Sequence, residues 1–145
     1  MLSRALDYFL ASKASSQMEW AMIIQNQWLA ACSGNGGGAC SGSGSNLTVE
    51  EEIAQYVGYL KDDRYLRTSA AHGSRPVVFI FNSAAFGSAT EPAGAELVAL
   101  NASAQAAGLP PIFFVGQVFS AGSMSKVTFP VDGFSTYLLR AKYMS

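Results

Sequence analysis

Arg75-Pro76-Val77-Val78-Phe79-Ile80-Phe81-Asn82 decides the fold. The apolar run from Val77 to Phe81 has no alternation, so both faces of the strand it forms must be covered, as in parallel sheets flanked by helices. Asn82 stands where that strand stops, and in parallel α/β folds ligands are handled at the carboxyl ends of strands. On the other side, the polar stretch Asp62 to Ser74 connects the strand to the end of a preceding helix.

That helix starts at a capping box. The Thr48 hydroxyl can accept from the N3 amide while Glu51 reaches back to the cap amide. Ile53, Tyr56, Val57 and Leu60 then recur at helical spacing. Glu50, Glu51 and Glu52 suit the positive end of the helix dipole and read as capping, solvated residues. Further upstream, Leu2 to Lys13 has helical periodicity and Met18 to Gln25 reads as a mostly apolar strand. Downstream, a helix is expected from about Glu91 to Ala107 with Leu97, Val98 and Leu100 as its apolar face. Gly108 and Pro110-Pro111 close it. Ile112 to Val118 forms a third buried strand, Ser120 to Ser125 a small-residue loop, and Asp132 to Leu139 a fourth strand. Strands and helices that alternate in this way imply a parallel sheet.

The chain has 145 residues, 50% of them hydrophobic, which suits one domain spanning residues 1–145. Net charge is -1 and only 13% of residues are charged, with the basic ones scattered, so neither a nucleic-acid nor a membrane surface is expected. Met1 to Arg4 opens an amphipathic segment rather than a signal peptide. Residues 33–45 are a Gly/Ser-rich flexible loop flanked by Cys32, with Cys40 inside it. Two cysteines without a histidine do not make a zinc site, so no metal is expected. A Cys32–Cys40 disulfide would suit an oxidising compartment, as would the sequons at Asn46 and Asn101, and these favour an extracellular or secretory location. Two free thiols are the alternative.

The ordered phrases Met18 to Trp28, Thr48 to Leu60, Asp62-Asp63-Arg64-Tyr65-Leu66, Gly73 to Phe81, Gly108-Leu109-Pro110 and Asp132 to Tyr137 resemble the WbsX-type and glycoside hydrolase family 99-like proteins. The resemblance implies a (β/α)8 barrel acting on sugars. Such a barrel takes about 250 residues, so the expected fold is α/β, with parallel βα repeats forming part of an incomplete (β/α)8 (TIM-like) barrel. A strip of this kind exposes two sheet edges and an apolar face, which favours self-association.

Glycoside hydrolysis usually needs two carboxyl groups, one as acid and one as base or nucleophile. Where the family motif has an acid, this chain has Asn26 or Gln27, and Ser135 stands in place of the aspartate of the later G-F-D-A phrase. No acidic residue is expected at a strand's carboxyl end. What remains is a set of amides at or just beyond strand ends, Gln25, Asn26, Gln27, Asn82 and Gln117, with Trp28 offering an aromatic face to a pyranose ring. The expected function is therefore that of a carbohydrate-active protein resembling a glycoside hydrolase. It keeps sugar-contacting residues, lacks the catalytic carboxylate pair and needs no cofactor; a saccharide is the expected partner. A non-catalytic sugar-binding or structural α/β module is the alternative. A phosphate-binding doubly wound domain ranks last, because no strand is followed by G-x-G-x-x-G or a P-loop lysine.

Overall fold

The computed structural model describes residues 8–12, 18–25, 47–119 and 121–136. In chain order the elements are β1 (Met22–Ile24), α1 (Val49–Leu60), β2 (Val77–Ile80), α2 (Pro92–Ala106), β3 (Phe113–Val118) and β4 (Gly133–Thr136). Short 3-10 turns occupy Ala70–His72, Ser83–Ala85 and Ala121–Lys126. The last of these stands where the sequence suggested an irregular small-residue loop. The four strands form one sheet in the order β1-β2-β3-β4, and every neighbouring pair is parallel. The protein is thus α/β with an all-parallel sheet, as expected. Of the expected amino-terminal helix, residues 8–11 are described and are helical. The loop at 33–45, both cysteines, Asn46 and the carboxyl part of the expected fourth strand lie outside the described residues.

Register divides the side chains cleanly between the two faces. Met22 pairs with Val78 and Val78 with Phe114, while Ile24 pairs with Ile80 and Ile80 with Gly116. Paired residues of parallel strands project to the same face. On this face Ile24, Val78, Ile80 and Phe114 pack with Ile53, Val57 and Leu60 of α1 and Leu97, Leu100 and Ala104 of α2 in a single core. Ile23, Phe79 and Val115 lie in register on the opposite face and are not part of that core.

The Thr48–Glu51 capping box forms as expected, with Glu51 N–H donating to Thr48 Oγ1 at 3.2 Å and Thr48 N–H to Glu51 Oε2 at 2.8 Å. α2 ends before Gly108, whose φ of +85° is the left-handed value a helix terminator requires. Its buried stripe is Ala93, Glu96, Leu97, Leu100 and Ala104. Val98, expected on the apolar face, is exposed, because one residue past Leu97 turns the helix by about 100°.

The amino-terminal ends of the strands are tied by side chains. Tyr65 lies buried beneath β1 and β2, accepting from Met22 N–H at 3.0 Å and donating to Val77 C=O at 2.8 Å. Arg75 donates to the carbonyls of Pro111 (3.0 Å) and Ile112 (2.6 Å) and pairs with Asp132 at 2.9 Å. Its guanidinium lies 5.0 Å from the centre of the Phe113 ring. Asp132 in turn accepts from Phe114 N–H at 2.9 Å, which fixes the start of β4 against β3. Asp62 and Arg64 form a two-bond ion pair at 2.7 and 2.9 Å. Arg64 holds the Asp62 carboxyl down at about 2.

Candidate functional site at the carboxyl ends of the strands

The chain leaves β2 through Asn82, which takes φ 49° and ψ 54°, a left-handed conformation that asparagine tolerates better than most residues. This turn starts the 3-10 segment and swings Ser83 across the end of β3. There Ser83, itself buried, donates from Oγ to the Gln117 carbonyl at 3.3 Å. Gly116 gives it room, since a β-carbon there would stand 3.0 Å from Ser83 Oγ and 3.3 Å from the Phe134 ring.

Gln117 pairs in register with Ser135, on the face opposite the helices. It is only 8% exposed, and its Oε1 has no hydrogen-bond partner among the described residues. A buried amide oxygen without a donor costs about 1–3 kcal/mol. Gln25 follows the last residue of β1 and is half-buried. Phe81 N–H donates to Ile24 C=O at 2.9 Å, which brings the ends of β1 and β2 level. The edge-on stack of Phe81 on Phe119, 5.7 Å between ring centres, adds aromatic surface at the same end.

Three of the six expected site residues, Gln25, Asn82 and Gln117, therefore stand at the same end of three adjacent strands. Asn26, Gln27 and Trp28 lie outside the described residues. Asn101, the sequon residue of α2, accepts from Ile112 N–H through Oδ1 at 2.8 Å and so serves the α2–β3 connection. His72 sits in the connector near Ser69 Oγ, 2.9 Å from its Nδ1, away from the carboxyl ends.

The acidic residues follow a different pattern from the one expected. Glu50 and Glu51 are exposed, but Glu52 is buried, and so is Glu96 on α2. Tyr56 donates to Glu52 Oε1 at 2.6 Å. Burial first, then the Glu52 hydrogen bond and charge and the charge of Glu96, push the Tyr56 hydroxyl far above its ordinary 10.0. The expectation that Glu52 is solvated fails because it stands four residues before Tyr56 and eight before Leu60, on the buried side of α1. That spacing was the available signal. Glu91 occupies the N-cap position of α2 without a side-chain cap hydrogen bond, its carboxylate folded over Gly87 instead. Among the described residues, no Asp or Glu terminates a strand at its carboxyl end and no cluster of three metal-ligating side chains occurs. A groove of about 480 Å³ between α1 and α2, lined by Val49, Ile53, Ala54, Val57 and Ala99 together with the polar Glu50 and Ser103, is largely apolar. No described helix is long and apolar enough to cross a membrane.

Comparison with family models, with curated proteins and with solved structures finds no match to this chain.

Proposed function

We propose that this chain is part of an incomplete (β/α)8 barrel that binds a saccharide at the carboxyl ends of its strands without hydrolysing it. The observation that carries the reading is Gln117, a buried amide whose Oε1 has no described donor, at the end of a central parallel strand. A neutral polyol supplies hydroxyl donors in the geometry such an oxygen accepts, and it demands no countercharge. Gln25 and Asn82 on the flanking strands extend the amide row. The barrel part of the reading rests on the unreversed strand order, which is the order barrels use, and on α1 and α2 packing on the same face. Hydrolysis is left out because the carboxylates nearest in kind, Glu52 and Glu96, belong to the helical layer.

Calorimetric titration with neutral mono- and oligosaccharides tests this. Saturable binding that Gln117→Leu weakens at least tenfold is the expected result; no binding at millimolar sugar, or equal affinity in the variant, overturns it. Turnover of aryl glycosides would overturn the non-catalytic half. A structural α/β module without a ligand is the second reading. It is favoured by the positions of Asp62, Arg64, Tyr65 and Arg75, the residues that carry the family resemblance, which all tie the opposite end of the sheet.

A further inference from the structure

We propose that the chain pairs with a second copy of itself about a twofold axis. β4 of each protomer adds in parallel to β1 of the other, so that two four-stranded sheets close into one eight-stranded barrel. The inference shares the barrel architecture of the preceding reading and none of its saccharide chemistry.

The strand order is the starting point. Because β1-β2-β3-β4 is sequential and all-parallel, each crossover advances the sheet in the same direction, and β1 and β4 are its two edges among the described residues. Both edges run the same way. Hydrogen bonds alternate sides along a strand, and Phe81 N–H donates to Ile24 C=O, so the Ile23 N–H and C=O are directed to the open side of β1. An edge of this kind is a template for a parallel strand.

The second observation is the sheet face opposite α1 and α2. Ile23, Phe79 and Val115 form an apolar row across three strands. None of them joins the core beneath α1 and α2, and Ile23 is 42% exposed. In a parallel barrel this face is the interior, and eight strands is the number at which inward side chains alone fill it.

These two features select the occupant. It must offer a β4-type edge to β1 and a β1-type edge to β4, with the same polarity, an apolar inner face and four strands. A second copy of this chain meets all of these conditions. The β4-to-β1 contact is head-to-tail, and such contacts either close or grow into open filaments. Two applications around eight strands close. A formal charge of -1 per protomer leaves little electrostatic barrier to the pairing.

The test is sedimentation equilibrium of the full chain, without saccharide, across micromolar concentrations. Amide exchange at Ile23 is followed on the same samples. The expected result is twice the 15.3 kDa protomer mass, with slowing of Ile23 exchange as the dimer fills. Ile23→Lys, which puts a charge on the inner face, should halve the mass. Val98→Lys, on the exposed side of α2, should not. The exchange measurement uses the unaltered chain and stands even where Ile23→Lys fails to fold. A single 15.3 kDa species throughout, growth past two copies, or a dimer in which Ile23 exchanges as fast as in the monomer overturns the proposal. Since no saccharide is present, failure here leaves the binding reading untouched, and failure of sugar binding leaves the dimer untouched.

Discussion

Tyr65→Phe removes one oxygen and with it the side-chain bridge at the amino-terminal ends of β1 and β2. That oxygen accepts from Met22 N–H and donates to Val77 C=O, so the Tyr65 hydroxyl spans a gap that would otherwise hold a direct strand-to-strand bond. The phenyl ring of the variant keeps the packing against Trp20, whose ring centre lies 4.9 Å away. What is lost is the pair of hydrogen bonds, and two backbone groups at a site only 2% exposed are stranded. With a net value of about 1 kcal/mol per bond and a further cost for burying an unsatisfied group, the destabilisation comes to about 2–3 kcal/mol. For a chain of this size that corresponds to a fall in Tm of roughly 6–10 °C. In urea it is a midpoint lower by about 1–1.5 M at unchanged slope. Equilibrium unfolding followed by tryptophan fluorescence and circular dichroism measures both. A loss below about 0.5 kcal/mol would mean that β1 closes onto β2 directly once the hydroxyl is gone, and the bridging role would be refuted.

Two further outcomes can be checked with the same unfolding assay. Burial raises the hydroxyl pKa of both Tyr56 and Tyr65 above the ordinary 10.0, and the Glu52 hydrogen bond and charge add to the effect at Tyr56. A raised value means that stability is fully present below pH 10 and lost as pH rises beyond it. The expected slope is up to about 1.4 kcal/mol per pH unit for each tyrosine. Tyr56→Phe should remove one share of it, and an unchanged slope in that variant would count against the burial argument. The two helical glycines should respond with opposite signs to alanine. Gly58→Ala meets nothing within 4 Å and should stabilise by about 0.5–1 kcal/mol, whereas Gly94→Ala drives a methyl into the Ser88 carbonyl and should destabilise by about 1–3 kcal/mol. Equal signs would show that intrinsic helix preference outweighs packing at α2.

The run from Val77 to Phe81 was legible because five apolar residues without alternation fit few environments other than a parallel strand. The capping box and Gly108 were legible for a related reason: each is a local device whose partners lie within a few residues. Glu52 and Glu96 were not. For Glu52, an acid in the first turn has an adequate local explanation that masks the signal of its spacing to Tyr56 and Leu60, and for Glu96 only the packing of α2 shows that the side chain is buried. Val98 was misplaced for the complementary reason, since three apolar residues in a four-residue window cannot all face one core. Of the candidate site, the placement of Gln25, Asn82 and Gln117 at one end of the sheet was legible from strand ends alone. The burial of Gln117 was not, because it depends on long-range packing around β3, where Ser83 is brought by the left-handed turn at Asn82.

A buried polar atom without a described partner occurs at both ends of the sheet, Trp20 Nε1 at the amino-terminal end and Gln117 Oε1 at the carboxyl end. At the amino-terminal end Asp62, Arg64, Tyr65, Arg75 and Asp132 satisfy one another or the backbone, as described above. A change there breaks bonds within the fold. Gln117 Oε1 is a buried acceptor without a described donor, which is a cost to folding. Replacing Gln117 with leucine removes that cost while keeping a similar volume. Gln117→Leu should therefore leave stability unchanged or raise it by up to about 1–2 kcal/mol, in the same variant that tests the proposed saccharide binding. A residue retained only for structure would behave in the opposite way, and a clear loss of stability in Gln117→Leu would assign it to the scaffold.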